Sequence, residues 1–391
     1  MSDPLYFTKE HDMFRQMVRK FVQTEINPYV EEWEAERIFP AHQLFKKMGD
    51  LGLLGLSYPE EYGGGGADYW YNAILMEELG QANCAGVPMG ISVHTDMATP
   101  ALAQHGSHEL KEQFLVPAIK GECVFSIGVS EPGAGSDVAG ITTRAVRDGD
   151  DYIINGTKMW ITNGTQADYI TLLVRSDDRN YGFTGMSLII VPTSTPGFSV
   201  SKKLDKLGNH SSDTAILSFD NVRVPQANRI GAEGMGFILQ MQQFQKERLV
   251  ACLMGTAGME KIVRMTIEYC RQRKTFGIPL IDNQWIHFKL AELITEIELM
   301  KHLNYYCVRK MIAGDDVTRE VSMGKLKAGR LAREVADTCL QFHGGMGYVE
   351  EYPMARYFRD ARLMSIGGGA DEIMLGIIAK YEGILPSRRR D

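Results

Sequence analysis

The chain runs to 391 residues, 44% hydrophobic and 23% charged, with a formal net charge of -7. Such a length and composition describe a soluble globular protein of two or three domains with room for a large core. The acidic balance excludes a general nucleic-acid binder, and no apolar run approaches the length of a membrane span.

Chemistry-bearing residue types narrow the field further. Cys84, Cys123, Cys252, Cys270, Cys307 and Cys339 are scattered without metal-ligand spacing, and the nine histidines show no zinc pattern, so no metal site is expected. The cysteines read as reduced, mostly buried thiols of a cytosol-like compartment. Met1-Ser-Asp-Pro-Leu5 has neither the basic-then-apolar order of a secretion signal nor the arginines of a transit peptide, and Arg388-Arg-Arg-Asp391 is not a peroxisomal address. A cytoplasmic location is expected.

The N-terminal part reads as helical. Thr8 is placed to cap a helix whose apolar face is Phe14, Met17, Val18, Phe21 and Val22, with Pro28 closing or kinking it. Pro40 opens the next helix, with Leu44, Phe45 and Met48 inward and Gly49 near its end. Gly63-Gly-Gly-Gly66 is a loop and lacks the context of a phosphate-binding motif. Helices resume around Tyr71–Gln81 and from Pro100 to Val116. Asp96, a carboxylate within a mostly apolar segment, reads as a helix cap.

From about Glu122 to Ile230 short alternating runs take over: Tyr152–Ile154, Ile170–Val174, Leu188–Val191 and Ile216–Phe219. Asn155-Gly156 signals a hairpin, and the strand carrying Trp160, Ile161 and Thr162 turns again at Asn163-Gly164. The pattern predicts an antiparallel barrel or sandwich. Beyond Glu233 the helical period returns, with long helices over Gly236–Gln272, Asn283–Ala313 and Thr318–Phe342 and a last one from Asp371, a four-helix bundle. The expected division is an all-α domain over 1–121, a β domain over 122–232 and the bundle over 233–391. The class is α+β, multidomain.

Six stretches stand out in this frame. Ile127-Gly-Val-Ser-Glu-Pro-Gly-Ala-Gly-Ser-Asp137 ends a strand at Pro132, and Gly133 and Gly135 let the backbone turn tightly beside a polar ligand. Taken alone, it reads better as an ordinary surface turn between strands. The others are Asn155-Gly-Thr-Lys-Met-Trp-Ile-Thr-Asn-Gly164, Gln245-Lys-Glu-Arg-Leu249, Arg273-Lys-Thr-Phe-Gly277, Gln341-Phe-His-Gly-Gly-Met-Gly-Tyr348 with Glu351-Tyr-Pro353, and Ile366-Gly-Gly-Gly-Ala-Asp-Glu-Ile373. Together and in this order they resemble the acyl-CoA dehydrogenase family, over nearly the whole chain.

That resemblance implies the acyl-CoA dehydrogenase fold and an FAD-dependent α,β-dehydrogenation of an acyl-CoA to a trans-2-enoyl-CoA. It implies FAD between the middle and C-terminal domains, with Ile127, Val129, Ser130, Ile161 and Thr162 at the ring and Trp160 shielding one face. Arg273, Thr275 and Phe276 would reach the FAD of a neighbouring subunit. Gln284, Gln341, Gly344 and Gly345, then Ala370, Asp371 and Glu372, match the remaining contacts, Ala370 standing where threonine is commoner. It also implies electron-transferring flavoprotein as acceptor and a homotetramer or dimer. For a mature eukaryotic chain it implies the mitochondrial matrix.

Abstraction of an α-proton needs a carboxylate in a dry pocket. In many family members it lies where this chain has Gly368, which takes no proton. Glu247 matches the branch, including isovaleryl-CoA and long-chain enzymes, in which the base sits on the first bundle helix. Its bland alternative is a helix-surface ion pair. Arg248 and Ser136 would then bind the coenzyme side, and the backbone at Gly368 and Gly369 would polarise the thioester carbonyl. A small residue at Gly368 favours a branched, terpenoid or long acyl group. Met89–Met97 is expected to line that pocket. The chain also resembles citronellyl-CoA dehydrogenases. The alternatives are a cyclohexene carboxyl-CoA-type enzyme using Asp96, a non-catalytic flavoprotein of the same fold, and an oxygen-using acyl-CoA oxidase.

Overall fold

The computed structural model describes residues 3–177 and 183–386. The ends read for targeting, Met1-Ser2 and Arg388–Asp391, lie outside the described residues.

The N-terminal part is helical for the reasons its sequence gives. In α1 (Lys9–Phe21) Thr8 caps the amide of His11 while His11 answers with its side chain, and Val18 and Phe21 are buried. A π turn, Val22–Ile26, leads to Pro28. Then follow α2 (Val30–Glu36) and α3 (Ala41–Asp50), the latter with Pro40 at its N-cap. Asp68 caps α4 (Tyr69–Leu79), which is buried almost all round. Its Glu77 and Glu78 are paired with Arg15 and Arg19 of α1. The segment α5 (Gly86–Ser92) runs into a second π turn, Val93–Ala98. The single helix expected over Pro100–Val116 is broken at Gly106. It becomes α6 (Pro100–His105), α7 (His108–Leu110), a third π turn and α8 (Val116–Ile119), because Ser107 caps a new start.

The middle strands are β1 (Phe125–Gly128), β2 (Arg144–Asp148), β3 (Asp151–Thr162), β4 (Tyr169–Arg175), β5 (Met186–Pro192), β6 (Phe198–Lys203), β7 (Thr214–Pro225) and β8 (Arg229–Ile230). They form one sheet in the order β6-β7-β3-β2-β4-β5-β8, with β1 joined to β4. Antiparallel pairing dominates, but β1 runs parallel to β4. The hairpin expected at Asn155-Gly156 is not there. The turn falls at Gly149-Asp150, where Asp148 faces Asp151, and β3 continues through Asn155 and Gly156 past a bulge in β7, whose Asp220 and Asn221 face Asn155 alone. Gly156 instead serves a close approach: with φ at 152°, a Cβ there would lie 2.4 Å from Thr143 Oγ1.

The C-terminal part holds α9 (Gly236–Gln272), a small hairpin of β9 (Lys274–Thr275) and β10 (Ile278–Pro279), then α10 (Gln284–Ile312), α11 (Thr318–His343), α12 (Pro353–Ala361) and α13 (Asp371–Tyr381). The β9–β10 hairpin and α12 were not foreseen; Pro353 supplies the first turn of α12. The three parts are sewn together by polar contacts. Lys261 of α9 donates to the carbonyls of Gln81 and Ala82 at 2.7 and 2.8 Å. Asp360 accepts from the amides of Ala85 and Asn209. All six cysteines are buried and free.

Candidate active site

The centre is Glu247, one-third of the way along α9. It is buried, so the surface ion pair fails as an explanation. Its Oε1 accepts from Nε2 of Gln243 at 3.0 Å and of Gln240 at 3.1 Å, four and seven residues earlier on the same helix face. Burial pushes its pKa up to about 7, against the pull of Gln243, Arg248 and Gln240; nearby Asp96 adds to the rise. A carboxyl group so held exchanges a proton near neutral pH, the range a general base would use.

Gln243 also donates to the carbonyl of Met97 and accepts from the amide of Ala101 at 3.2 Å. The Val93–Ala98 turn is thus wedged between α9 and the sheet. On its far side His94 Nδ1 accepts from the amide of Phe125 at 3.0 Å, and Thr171 Oγ1 donates to Ala98 at 2.7 Å. Asp96 lies inside this turn, not at a helix start, so the cap reading is corrected. It is buried, accepts from Thr95 Oγ1 at 2.5 Å, and is pushed by burial up to about 6.

Arg248 follows Glu247, buried with Nε lacking a hydrogen-bond partner and its guanidinium 5.7 Å from the Phe244 ring. Across from it is the turn before α13. Gly368 and Gly369 have φ of 65° and 102°, where side chains are strained. A Cβ on Gly369 would lie 3.8 Å from Arg248 Nε, and one on Gly368 would meet only Lys325 Cε at 3.7 Å. Lys325, buried on α11, ties the turn by donating to the carbonyls of Met364 and, at 3.2 Å, Gly369. Ala370 is the N-cap of α13 but has no side chain to cap it. Asp371 is ion-paired with Arg333 at 3.2 Å, and Glu372 is exposed.

The other side of the wedge is the loop after β1. Ile127, Val129 and Ser130 are half-buried and Ser136 is exposed. The backbone does turn tightly at Pro132-Gly133, where Glu131 and Ala134 exchange hydrogen bonds, though neither Gly133 nor Gly135 takes a left-handed φ. On β3, a bulge sets Met159 and Trp160 opposite Ile216 alone, between the pairs Lys158↔Leu217 and Ile161↔Ala215. The bulge throws Trp160 outward, at φ 63° and 54% exposed, where simple alternation would bury it. Ile161 is buried beside it, and Thr162 is half-buried. An exposed indole on β3, two residues before Thr162 and next to Met159, whose amide donates to the Ser130 carbonyl, fits a flat aromatic ring with a polar edge. FAD has that shape, and the residues present fit it.

A third set lies at the far end of the bundle. Arg273 C-caps α9, roughly 39 Å along the helix from Glu247 at 1.5 Å per residue. Thr275 and Phe276 are in the β9–β10 hairpin, with Phe276 fully exposed at φ 50°. Gln284 opens α10, and Gln341, Gly344 and Gly345 end α11, all exposed. These ends meet: the Tyr269 hydroxyl donates to the carbonyl of His343 at 3.2 Å and their rings stack at 4.3 Å. So the structure shows three separate groups: Glu247 and Arg248 with the glycine turn near Arg248, the loop with Trp160, and the bundle end. Sequence reasoning missed Gln240, Gln243, Lys158, Glu131 and Lys325. Three polar side chains on one helix face at 240, 243 and 247 were the available signal.

Comparison with known proteins agrees over the full length. Residues 8–122, 126–222 and 234–382 match the N-terminal, middle and C-terminal domains of acyl-CoA dehydrogenase. The mitochondrial long-chain specific acyl-CoA dehydrogenase of Rattus norvegicus is 40% identical over 375 residues, covering 96% of this chain and 86% of the relative. The mitochondrial isovaleryl-CoA dehydrogenase of Solanum tuberosum is 36% identical over 380 residues, 97% and 92% of the two chains. A crystal structure of acyl-CoA dehydrogenase from Geobacillus kaustophilus superposes with a TM-score of 0.93 at 40% identity, over 96% and 99% of the two chains.

Proposed function

This chain belongs to the acyl-CoA dehydrogenase family, and from that premise we propose that Glu247 is the base that takes the Cα proton of its acyl-CoA substrate. The enzyme is an FAD-dependent oxidoreductase acting on CH–CH donors. The observation that carries the assignment is a buried carboxylate poised near neutrality, whose neighbour in sequence, Arg248, places its Nε 3.8 Å from where a Cβ on Gly369 would sit. When bound, FAD supplies the acceptor for the Cβ hydride. Everything else is asked of the protein.

Gln240 and Gln243 hold the Glu247 carboxylate by Oε1, leaving Oε2 for the substrate proton. The backbone at Gly368 and Gly369, braced by Lys325, polarises the thioester carbonyl and so lowers the barrier to proton loss. Arg248 and Ser136 hold the coenzyme side. Ile127, Val129, Ser130, Trp160, Ile161 and Thr162 seat the flavin ring, and Ala370, Asp371 and Glu372 lie at its other approach. Arg273, Thr275, Phe276, Gln284, Gln341, Gly344 and Gly345, too far along the bundle to join them, serve the FAD of a second copy in a homotetramer. The open space at Gly368 favours branched, terpenoid or long acyl groups. Electron-transferring flavoprotein is the proposed acceptor.

The test is anaerobic single-turnover bleaching of flavin absorbance by straight, branched, terpenoid and cyclic acyl-CoAs. Glu247→Gln should abolish bleaching while FAD stays bound; a variant as fast as wild type overturns the assignment. Asp96 is the second reading, favoured by its burial and a pKa raised to about 6 close to Glu247. Asp96→Asn, rather than Glu247→Gln, would then abolish turnover.

A further inference from the structure

The search leads to an ion pair that the chemistry above does not use. Lys158 and Glu131 are 0% and 3% exposed, and their contact is 2.9 Å. A buried pair of charges is costly unless its remaining hydrogen-bonding capacity is met. Here it is met on the Glu131 side by the Thr142 amide and hydroxyl at 2.7 and 2.8 Å and the Thr143 amide at 3.0 Å. On the Lys158 side, Nζ donates at 2.9 Å to the carbonyl of Val129. Met159, next on β3, donates at 2.9 Å to the carbonyl of Ser130.

Two successive carbonyls of the loop are therefore pinned toward β3. Peptides are trans, so an N–H points opposite to the carbonyl of its own peptide unit. The Val129 carbonyl and the Ser130 N–H share one unit. The Ser130 N–H is thus directed away from Lys158, and the lysine cation polarises it as a donor. Glu131 folds the loop back on itself, its amide and carbonyl exchanging hydrogen bonds with Ala134 at 3.0 and 3.1 Å.

We propose that Lys158 and Glu131 are positioning residues for the flavin, Lys158 aiming and polarising the Val129–Ser130 peptide and Glu131 holding the lysine and the loop in place. The inference rests on the reading that this loop faces the flavin ring. Charge at Lys158 then favours the electron-rich reduced flavin, and charge at Glu131 opposes it. A clamp without electrostatic effect would loosen the loop alike whichever partner is removed.

The experiment measures the midpoint potential of bound FAD by spectroelectrochemistry, and FAD affinity by fluorescence titration of the apoprotein. The variants are Lys158→Met, Glu131→Gln, the double variant and Lys158→Arg. Lys158→Met should lower the potential and weaken FAD binding about tenfold, the loss of a charge-assisted hydrogen bond. Glu131→Gln should raise the potential. The double variant, which leaves no lone buried charge and so guards against misfolding, should lie between them, and Lys158→Arg should return toward wild type. Shifts of the same sign in both single variants, or none, overturn the proposal. Ser130→Ala and Thr162→Val separate the underlying reading. If they move the potential and the ion-pair variants do not, the inference fails and the flavin seat stands. If neither set moves it, the loop does not face the flavin and both fail.

Discussion

Replacing Gln240 by leucine isolates what tunes the base. Gln240 donates to Glu247 at 3.1 Å, and its own Oε1 is buried without a partner, so the change removes one bond and one unsatisfied oxygen. Gln243 would be a poorer probe, because it also holds Met97 and Ala101. A hydrogen bond to an ionised group contributes about 1.5–3 kcal/mol, and 1.36 kcal/mol is one pKa unit. The lower figure applies, since Gln243 keeps its bond to the same oxygen. The carboxyl, already raised to about 7 by burial, should climb by about one further unit. At pH 7 the ionised fraction then falls from about one-half to about one-tenth, and single-turnover bleaching slows about fivefold. Above pH 9 the two enzymes should converge. Rates between pH 6 and 9.5 test this. A fivefold loss that persists at pH 9.5 means a geometric rather than electrostatic effect, and an unshifted profile means Glu247 is not the titrating base.

Other outcomes follow from the same geometry. Glu247 has a folded-state pKa above the ordinary glutamate value of about 4.5, so the native state loses stability as pH rises from about 4.5 to about 7. Glu247→Gln removes that penalty, up to about 3 kcal/mol. It should melt a few degrees above wild type at pH 8, with the difference shrinking at pH 5; equal midpoints at both would refute the burial argument. Gly156→Ala puts a Cβ 2.4 Å from Thr143 Oγ1 at a strained φ and should lower the thermal midpoint by several degrees, whereas Gly133→Ala, whose Cβ meets nothing within 4 Å, should leave it unchanged. Lys325→Met frees the Gly368–Gly369 turn and should raise KM for acyl-CoA and slow bleaching without loss of FAD; unaltered kinetics would show the turn needs no brace.

Local rules were legible wherever the answer was local. Thr8, Pro40 and the long apolar periods of α9, α10 and α11 state their helices in the chain itself, since capping and periodicity act within a few residues. The candidate base was legible for another reason: the vacancy at Gly368 and the carboxylate at Glu247 compensate each other in order along the chain. Asn155-Gly156 misled because a turn-forming dipeptide also fits within a strand, here opposite a bulge in β7, and only that partner strand decides between them. Asp96 misled because a cap and a π turn inside a wedge look alike until α9 closes over them. The tuning of Glu247 was likewise invisible. It depends on burial by the Val93–Ala98 turn and on which glutamines share its helix face, and burial is a property of the packed chain. Lys158 and Glu131 lie 27 positions apart, and their pairing exists only because β3 folds under the loop. The sequence by itself thus determined the long helices, the order of the motifs and which carboxylate to propose as the base. Tertiary structure alone decided how basic that carboxylate is, where Trp160 points and what holds the loop, because dielectric, bulge register and buried pairing are set by residues distant along the chain.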